Sequence, residues 1–274
     1  MKKYLSFIAL SALALSLTAC STTTTNSKEE TKTESVDSEK EILKIGTSDA
    51  TPWTMVQDDG SIEGIGVTIM DELMNRMGYE YEWVVTDVPG MFGNMDSGRV
   101  DMSGLKLSLT PEREEKYAHS ILYYWEPAKL VVKEDDSSIQ AMEDLKGKTI
   151  AAGAGQVSEE FILKYKEEHD PNDEITLFTV DSGASDAVLA GHANAYIASE
   201  PNFNYRKKHN GENSPFKTVG EPLYDEESAF LFPKDVDKDF LDEFNKALQS
   251  MLDDGFLSTA TTEFFGVDTS KPLK

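Results

Sequence analysis

The sequence predicts an α/β protein built as two lobes. Segments of helical and strand period alternate at short spacing, the sign of sheets with parallel strands. The 274 residues suffice for about two domains of the usual ~100–200 residues. Hydrophobic residues make up 39%, enough to bury a core.

The elements follow in order. EILKIGT (41–47) reads as a short strand. IGVTIMDELMNRMG (65–78) reads as a helix, with Ile69, Met70, Leu73, Met74 and Met77 on one face and Gly78 at its C-terminal cap. YEYEWVV (79–85) alternates as a strand, PGMFGNMDSG (89–98) gives a turn and short helix, and RVDMSGLKLSL (99–109) gives a further strand. KTIAAG (148–153), EITLFTV (174–180) and NAYIAS (194–199) are strands, separated by helices in VSEEFILKYKEEH (157–169) and SDAVLAG (185–191). DKDFLDEFNKALQSMLDDG (237–255) is a strong amphipathic helix, aligning Phe240, Phe244, Leu248, Met251 and Leu252 and ending at Gly255. No fixed-period repeat is visible, and periodicity does not say where the chain crosses between lobes.

The N-terminus predicts location. Lys2 and Lys3 precede an apolar run, YLSFIALSALALSL, too short for a comfortable membrane span. LTAC (17–20) follows and contains the single cysteine, Cys20. Basic residues, apolar run, small residues and cysteine in that order resemble a bacterial lipobox, which implies a signal peptide over 1–20 and lipidation at Cys20. Residues 21–40 are rich in Ser, Thr, Lys and Glu with one valine. Such a stretch buries too little apolar area to offset chain entropy, so a disordered tether is expected. With one cysteine there is no internal disulfide, and the body depends on its core.

Charge narrows the function. Fifty acidic residues against 26 basic give a net charge of −24, which argues against nucleic acid and against docking on anionic lipid. The four histidines, His119, His169, His192 and His209, have no metal-ligand spacing. No metal or cofactor is expected, and GAG (153–155) lacks the lysine and spacing of a phosphate loop.

Against that acidic background, VDMSGLKLSLTPER (100–113) places two cations at one strand–helix junction. Strand alternation sends Lys106 and Ser108 to one face and Leu105, Leu107 and Leu109 to the other. Thr110 is a good N-cap and Pro111 suits the first helical position. Arg113 does not match the helix dipole; a cation in the first turn costs roughly 0.3–1 kcal/mol unless something answers it. Either a neighbouring glutamate does so, or an anionic ligand does, since a guanidinium fork beside free helix N–H groups suits a carboxylate.

SLTPER is the most specific of six segments that together resemble the bacterial extracellular solute-binding proteins of family 3, the polar amino-acid receptors of ABC importers. The others, in order, are LKIGTSDATPWTMV, PGMFGNMDSGRVDM, EDLKGKTIAAGAGQ, LAGHANAYIASEP and EFFGVD. The resemblance spans about residues 41–268. It implies a type II periplasmic-binding-protein clamshell, with a mixed sheet flanked by helices in each lobe and two crossover segments as the hinge. Lobe 1 would comprise 41–127 plus 224–268, lobe 2 would comprise 128–223, and 269–274 would form a C-terminal tail. The implied protein is a monomeric, lipid-anchored receptor that closes on an amino acid or similar polar solute and presents it to a membrane permease.

The resemblance also implies roles. Arg113 matches the arginine that clamps the ligand carboxylate, and Gln156 stands where a Thr or Ser usually assists. Ser108 matches the residue contacting the ligand amine, and Glu200 replaces the aspartate that usually pairs with it. Trp53 matches the aromatic packing over the ligand side chain, while Tyr123 and Asp49 stand at lining positions. For Trp53 and Tyr123 ordinary packing is the alternative, for Asp49 a turn cap, and for Glu200 a solvated helix start. Lys106 departs from the pattern, which usually has a small residue there. It could pair with Glu200 across the lobes, read a further carboxylate or carbonyl on the ligand, or extend to the cleft rim.

Two other functions compete. Some relatives of this fold are dehydratases of prephenate-like acids, and Glu200 would then be the general acid; no second catalytic partner is apparent. A sensor module would need a fused membrane and signalling segment, which the sequence does not show. The lipobox reading predicts that Cys20→Ser moves the protein from the membrane fraction to the soluble fraction, measured by cell fractionation and immunoblotting.

Overall fold

The computed structural model describes residues 42–209 and 214–273. The expected signal peptide, the expected lipidation site Cys20 and the expected tether lie outside these residues.

Two sheets organise the body. In the smaller, Leu43–Thr47 lies between Tyr81–Val85 and Met102–Ser103, all parallel. The larger has six strands in the order Thr176–Val180, Thr149–Gly153, Ala195–Ser199, Tyr124–Lys133, Phe216–Ala229 and Leu107–Ser108. Its first three strands are parallel to one another and the remainder run antiparallel. The two longest strands, Tyr124–Lys133 and Phe216–Ala229, are central and neighbours, and periodicity alone had not marked either as an element.

The expected helices form where the apolar spacing places them. Ile65–Met77 buries Ile69, Met70, Leu73 and Met74 and ends at Gly78, whose φ of 72° is left-handed and suits glycine. Lys238–Asp253 buries Phe244, Ala247, Leu248 and Met251. Phe240 and Leu252 pack at the margin of that core. A further helix, Phe256–Phe265, follows after Gly255 and buries Leu257, Thr261 and Phe265.

The hydrophobic core is divided. One cluster joins Ile45, Leu73, Met91, Phe230, Phe244 and Phe265. A second joins Leu130, Leu145, Ile150, Ile162, Ile197 and Val219. The long strands link the two: Tyr124 belongs to the first cluster and Ala128 to the second, while Val219 belongs to the second and Phe230, just beyond the end of Phe216–Ala229, to the first. One helix departs from this division. Glu200–His209 follows a strand of the second cluster, yet its Tyr205 joins the first. Tyr205 stacks on Phe264 with ring centres 5.5 Å apart and donates its hydroxyl to Met55 Sδ at 3.1 Å. Beyond the last helix the chain stays packed: Thr269 is fully buried and its carbonyl accepts from Trp125 N at 2.8 Å.

The single strand expected over 99–109 is a correction. It splits into Met102–Ser103 and Leu107–Ser108, which belong to different sheets. Gly104 stands at the break. Its N–H donates to Gly46 O at 2.8 Å and its carbonyl accepts from Trp53 Nε1 at 2.9 Å. A Cβ there would sit 2.2 Å from the Trp83 ring and 2.7 Å from Ile45 Cγ2. Only a residue without a side chain lets the backbone pass between the two. Gly104→Ala is therefore expected to destabilise the protein by about 1–3 kcal/mol through overpacking, read as a lower urea midpoint at unchanged slope.

Candidate functional site

Strand register assembles the site. Glu126 and Glu226 are direct partners across the two long antiparallel strands, and opposite residues share a face. Ser228, two residues on, is opposite Ser108 on one side and Tyr124 on the other. Ala128 is opposite Ser199. Lys106 immediately precedes the short strand containing Ser108. Four strands and the residue before one of them thus bring Lys106, Ser108, Glu226, Glu126 and Ser199 together.

Glu126 is the most engaged of these. It is buried, and its carboxylate accepts from Lys106 Nζ, Ser199 Oγ and Asn202 Nδ2, the last at 3.2 Å. Lys106 therefore pairs with Glu126, and the cross-lobe pair with Glu200 is not formed. Glu200 instead lies 3.4 Å from Lys129 Nζ, with both side chains largely covered. Lys106 also stands 5.2 Å from the centre of the Tyr124 ring.

Glu226 is less well answered. Among the described residues its carboxylate accepts one hydrogen bond, a long one from Ser108 Oγ at 3.4 Å. Burial raises its carboxyl above the ordinary range, and the facing Glu126 raises it further, while Lys106 and Ser108 oppose the shift.

Arg113 occupies the first turn of Pro111–Lys116. Thr110 caps that helix, its hydroxyl accepting from Arg113 N at 3.3 Å. The guanidinium donates from Nη1 to Ser108 O at 2.7 Å and lies 5.7 Å from the Phe92 ring centre. It forms no ion pair with a carboxylate among the described residues, so none of the neighbouring glutamates answers it there. A cavity of about 390 Å³ opens beside it, lined also by Phe92, Thr110 and Tyr117.

The remaining predicted residues are dispersed. Trp53 is almost wholly buried, its indole held by Gly104 O and lying where a Cβ on Gly66 would meet Nε1 at 2.5 Å. It still borders a cavity of about 270 Å³ with Pro52, Lys106, Leu107 and Asn202. Tyr123 is buried and stacks on Phe230 with centroids 4.3 Å apart, a packing role. Asp49 is exposed, and its Oδ1 accepts weakly from Val56 N at 3.4 Å. Gln156 is exposed at the start of Val157–His169. It lines a cavity of about 420 Å³ with Glu126, Glu226, Asp181, Ser199 and Tyr224; Glu200 is not among the residues lining it.

Sequence reasoning missed Glu126 and Glu226. For Glu126 a signal existed: it is the lone acid in the otherwise apolar and aromatic run from Tyr123 to Pro127. Glu226 lies in YDEESAF, among acids that nothing in the sequence separates.

The match to known proteins extends over both lobes. The family model described as "Bacterial extracellular solute-binding proteins, family 3" matches residues 43–267. The chain belongs to this family. Its fold is the two-lobe type II periplasmic-binding-protein fold. The probable amino-acid-binding protein YxeM of Bacillus subtilis is 28% identical over 277 residues, covering 100% of this chain and 99% of that protein. The putative amino-acid ABC transporter-binding protein PatH of Vibrio harveyi is 31% identical over 84% of this chain and 90% of its own length. Among solved structures, substrate-binding domain 2 of Lactococcus lactis GlnP in an open conformation superposes with a TM-score of 0.70 at 22% identity, covering 84% of this chain and 98% of that one. Members of the family are extracellular solute-binding proteins of ABC transporters rather than enzymes. Among the described residues, no helix is long and apolar enough to cross a membrane and no group of side chains could hold a metal ion.

The state of Glu226 has a measurable consequence. Its folded-state pKa lies above the unfolded value, so ionising it costs stability that is absent below the unfolded pKa and grows as pH rises through the folded pKa. Glu226→Gln is expected to melt above the wild type at pH 7. The difference should vanish as pH falls below the ordinary glutamate value of roughly 4.3, which paired thermal melts across pH would show.

Proposed function

We propose that this protein is the lipid-anchored receptor of an ABC importer, capturing an amino acid or a closely related polar solute between its lobes and closing about a hinge. The observation that carries the ligand class is Arg113. Its guanidinium is held by a backbone carbonyl, borders a cavity and has no protein carboxylate on it, the arrangement a ligand carboxylate would complete. Gln156 borders the cavity lined by Glu126 and Glu226 and can add a hydrogen bond, while Trp53 is a fixed apolar wall of the cavity that Lys106 lines. Relatives named as amino-acid-binding proteins support the same class.

The hinge reading places lobe 1 at 41–127 plus 224–268 and lobe 2 at 128–223. Its support is the split core and the two long strands common to both halves. Their pairing is imperfect near the crossing: Pro127 has no N–H to donate, and the register shifts between Val219 and Tyr224. A ligand that touches both lobes favours the closed state because it binds that state better.

The dehydratase alternative has less support. Glu200 lies 3.4 Å from Lys129 Nζ and does not line the cavity that Gln156 borders.

The test is a thermal-shift screen of the purified protein against the twenty standard amino acids, cystine, modified amino acids and 2-oxo acids, each at 1 mM. A ligand at ~100 times its dissociation constant stabilises the native state by about 2.7 kcal/mol. At least one amino-acid-type compound should raise the melting temperature by several degrees, and Arg113→Ala should abolish that rise. A flat response to every member of the panel, or a rise that survives Arg113→Ala, sinks this reading.

A further inference from the structure

In the family pattern, the residue at the Glu200 position takes the ligand amine. The geometry of this chain does not leave Glu200 free for it, because Lys129 holds its carboxylate at 3.4 Å. Glu200 is also missing from the lining of the cavity that Gln156 borders. A charge census of the face formed by the long strands points elsewhere. Glu126 and Glu226 stand directly opposite each other, and like charges so placed are unfavourable. One lysine serves both, and its ammonium is bonded to Glu126. Ser199 and Asn202 complete the Glu126 shell. Glu226 keeps a single long bond from a serine. The face therefore carries one carboxylate more than it has cations, half-buried and bordering a cavity.

Arg113 has the opposite deficit, and one residue links the two. Ser108 accepts the Arg113 guanidinium on its backbone carbonyl at 2.7 Å and offers its hydroxyl to Glu226 at 3.4 Å. An unanswered cation and an under-answered anion thus flank the same serine, on the short strand paired to the Glu226 strand. A zwitterion with its carboxylate and ammonium on one carbon has the charge order this arrangement needs.

We infer that Glu226, and not Glu200, receives the ammonium group of the ligand, with Ser108 between it and the carboxylate on Arg113. This rests on the proposed solute-binding function and assigns the amine subsite within it. Lys106 then has a defined part: it neutralises Glu126, so that a second carboxylate can be kept beside it for the ligand. Closing the pair around a ligand ammonium relieves the facing-acid repulsion that the ligand-free protein carries. Side chains on the other lobe wall, Asp181 among them, face the same cavity and add to its preference for a cation.

The experiment is a titration calorimetry matrix on the wild type, Glu226→Gln and Glu200→Gln. The probes are the amino acid giving the largest thermal shift and its 2-hydroxy acid counterpart, which keeps the carboxylate and side chain but lacks the ammonium. The wild type should prefer the amino acid by about tenfold or more, a difference of ~1.4 kcal/mol. Glu226→Gln should reduce that preference to about threefold or less, and Glu200→Gln should retain the larger part of it. Because the readout is a ratio of two ligands on one protein, a partly unfolded variant does not mimic the effect. Retention of the full preference by Glu226→Gln, or its collapse in Glu200→Gln alone, overturns the assignment and leaves the solute-binding function standing. A wild type that binds both compounds equally overturns it as well. A wild type that binds no amino acid overturns both.

Discussion

The pairing of Tyr124–Lys133 with Phe216–Ala229 is the interaction on which the rest of the structure depends. These two strands are the only long ones among the described residues; the first runs from one hydrophobic cluster into the other, and the second leads from the second cluster to Phe230 of the first. Antiparallel pairing puts opposite residues on one face, so fixing the register also fixes which side chains meet where the clusters part. That register sets Glu126 against Glu226, Tyr124 against Ser228 and, through Ser228, Ser108 at the edge. A slip of one residue would send every one of these side chains to the opposite face. The functional geometry is a by-product of strand pairing, not of any one loop.

Packing around the first cluster then positions the remaining parts. Gly104 lets the chain leave the small sheet between Trp83 and Ile45 and join the large one three residues later, at Leu107. The same carbonyl holds the Trp53 indole. Backbone passage, aromatic wall and the approach of Lys106 to the acids are therefore mechanically linked. Thr110 and Pro111 start a helix of only six residues, long enough to set Arg113 beside Phe92 and too short to do much else.

Electrostatics sets a compromise at this face. Two carboxylates lie opposite each other on neighbouring strands with one ammonium bonded to Glu126, and the protein bears the cost of a half-buried acid, Glu226, whose carboxyl burial pushes upward. Such a cost is characteristic of sites maintained for binding, since a neutral side chain would fit the fold better. The Glu200–Lys129 pair shows the contrasting case, in which two charges answer one another and leave little for a solute.

The local parts were legible in the order of the residues. Apolar spacing fixed the helices at 65–77 and 238–253, because burial of one face dominates their stability, and SLTPER fixed the cap that presents Arg113. Family motifs fixed the fold. The partners of the charges were settled by strand pairing in the folded chain. Lys106 meets Glu126, 20 residues away, and Glu226 faces it from a further hundred residues along the chain. Such choices depend on the register of strands distant in sequence, and hydrophobic periodicity holds no information about which acid stands opposite which. The same limit explains the split of the 99–109 segment: its alternation is that of a strand, but its two halves pair with Leu43–Thr47 and Phe216–Ala229, strands distant in sequence that belong to different sheets.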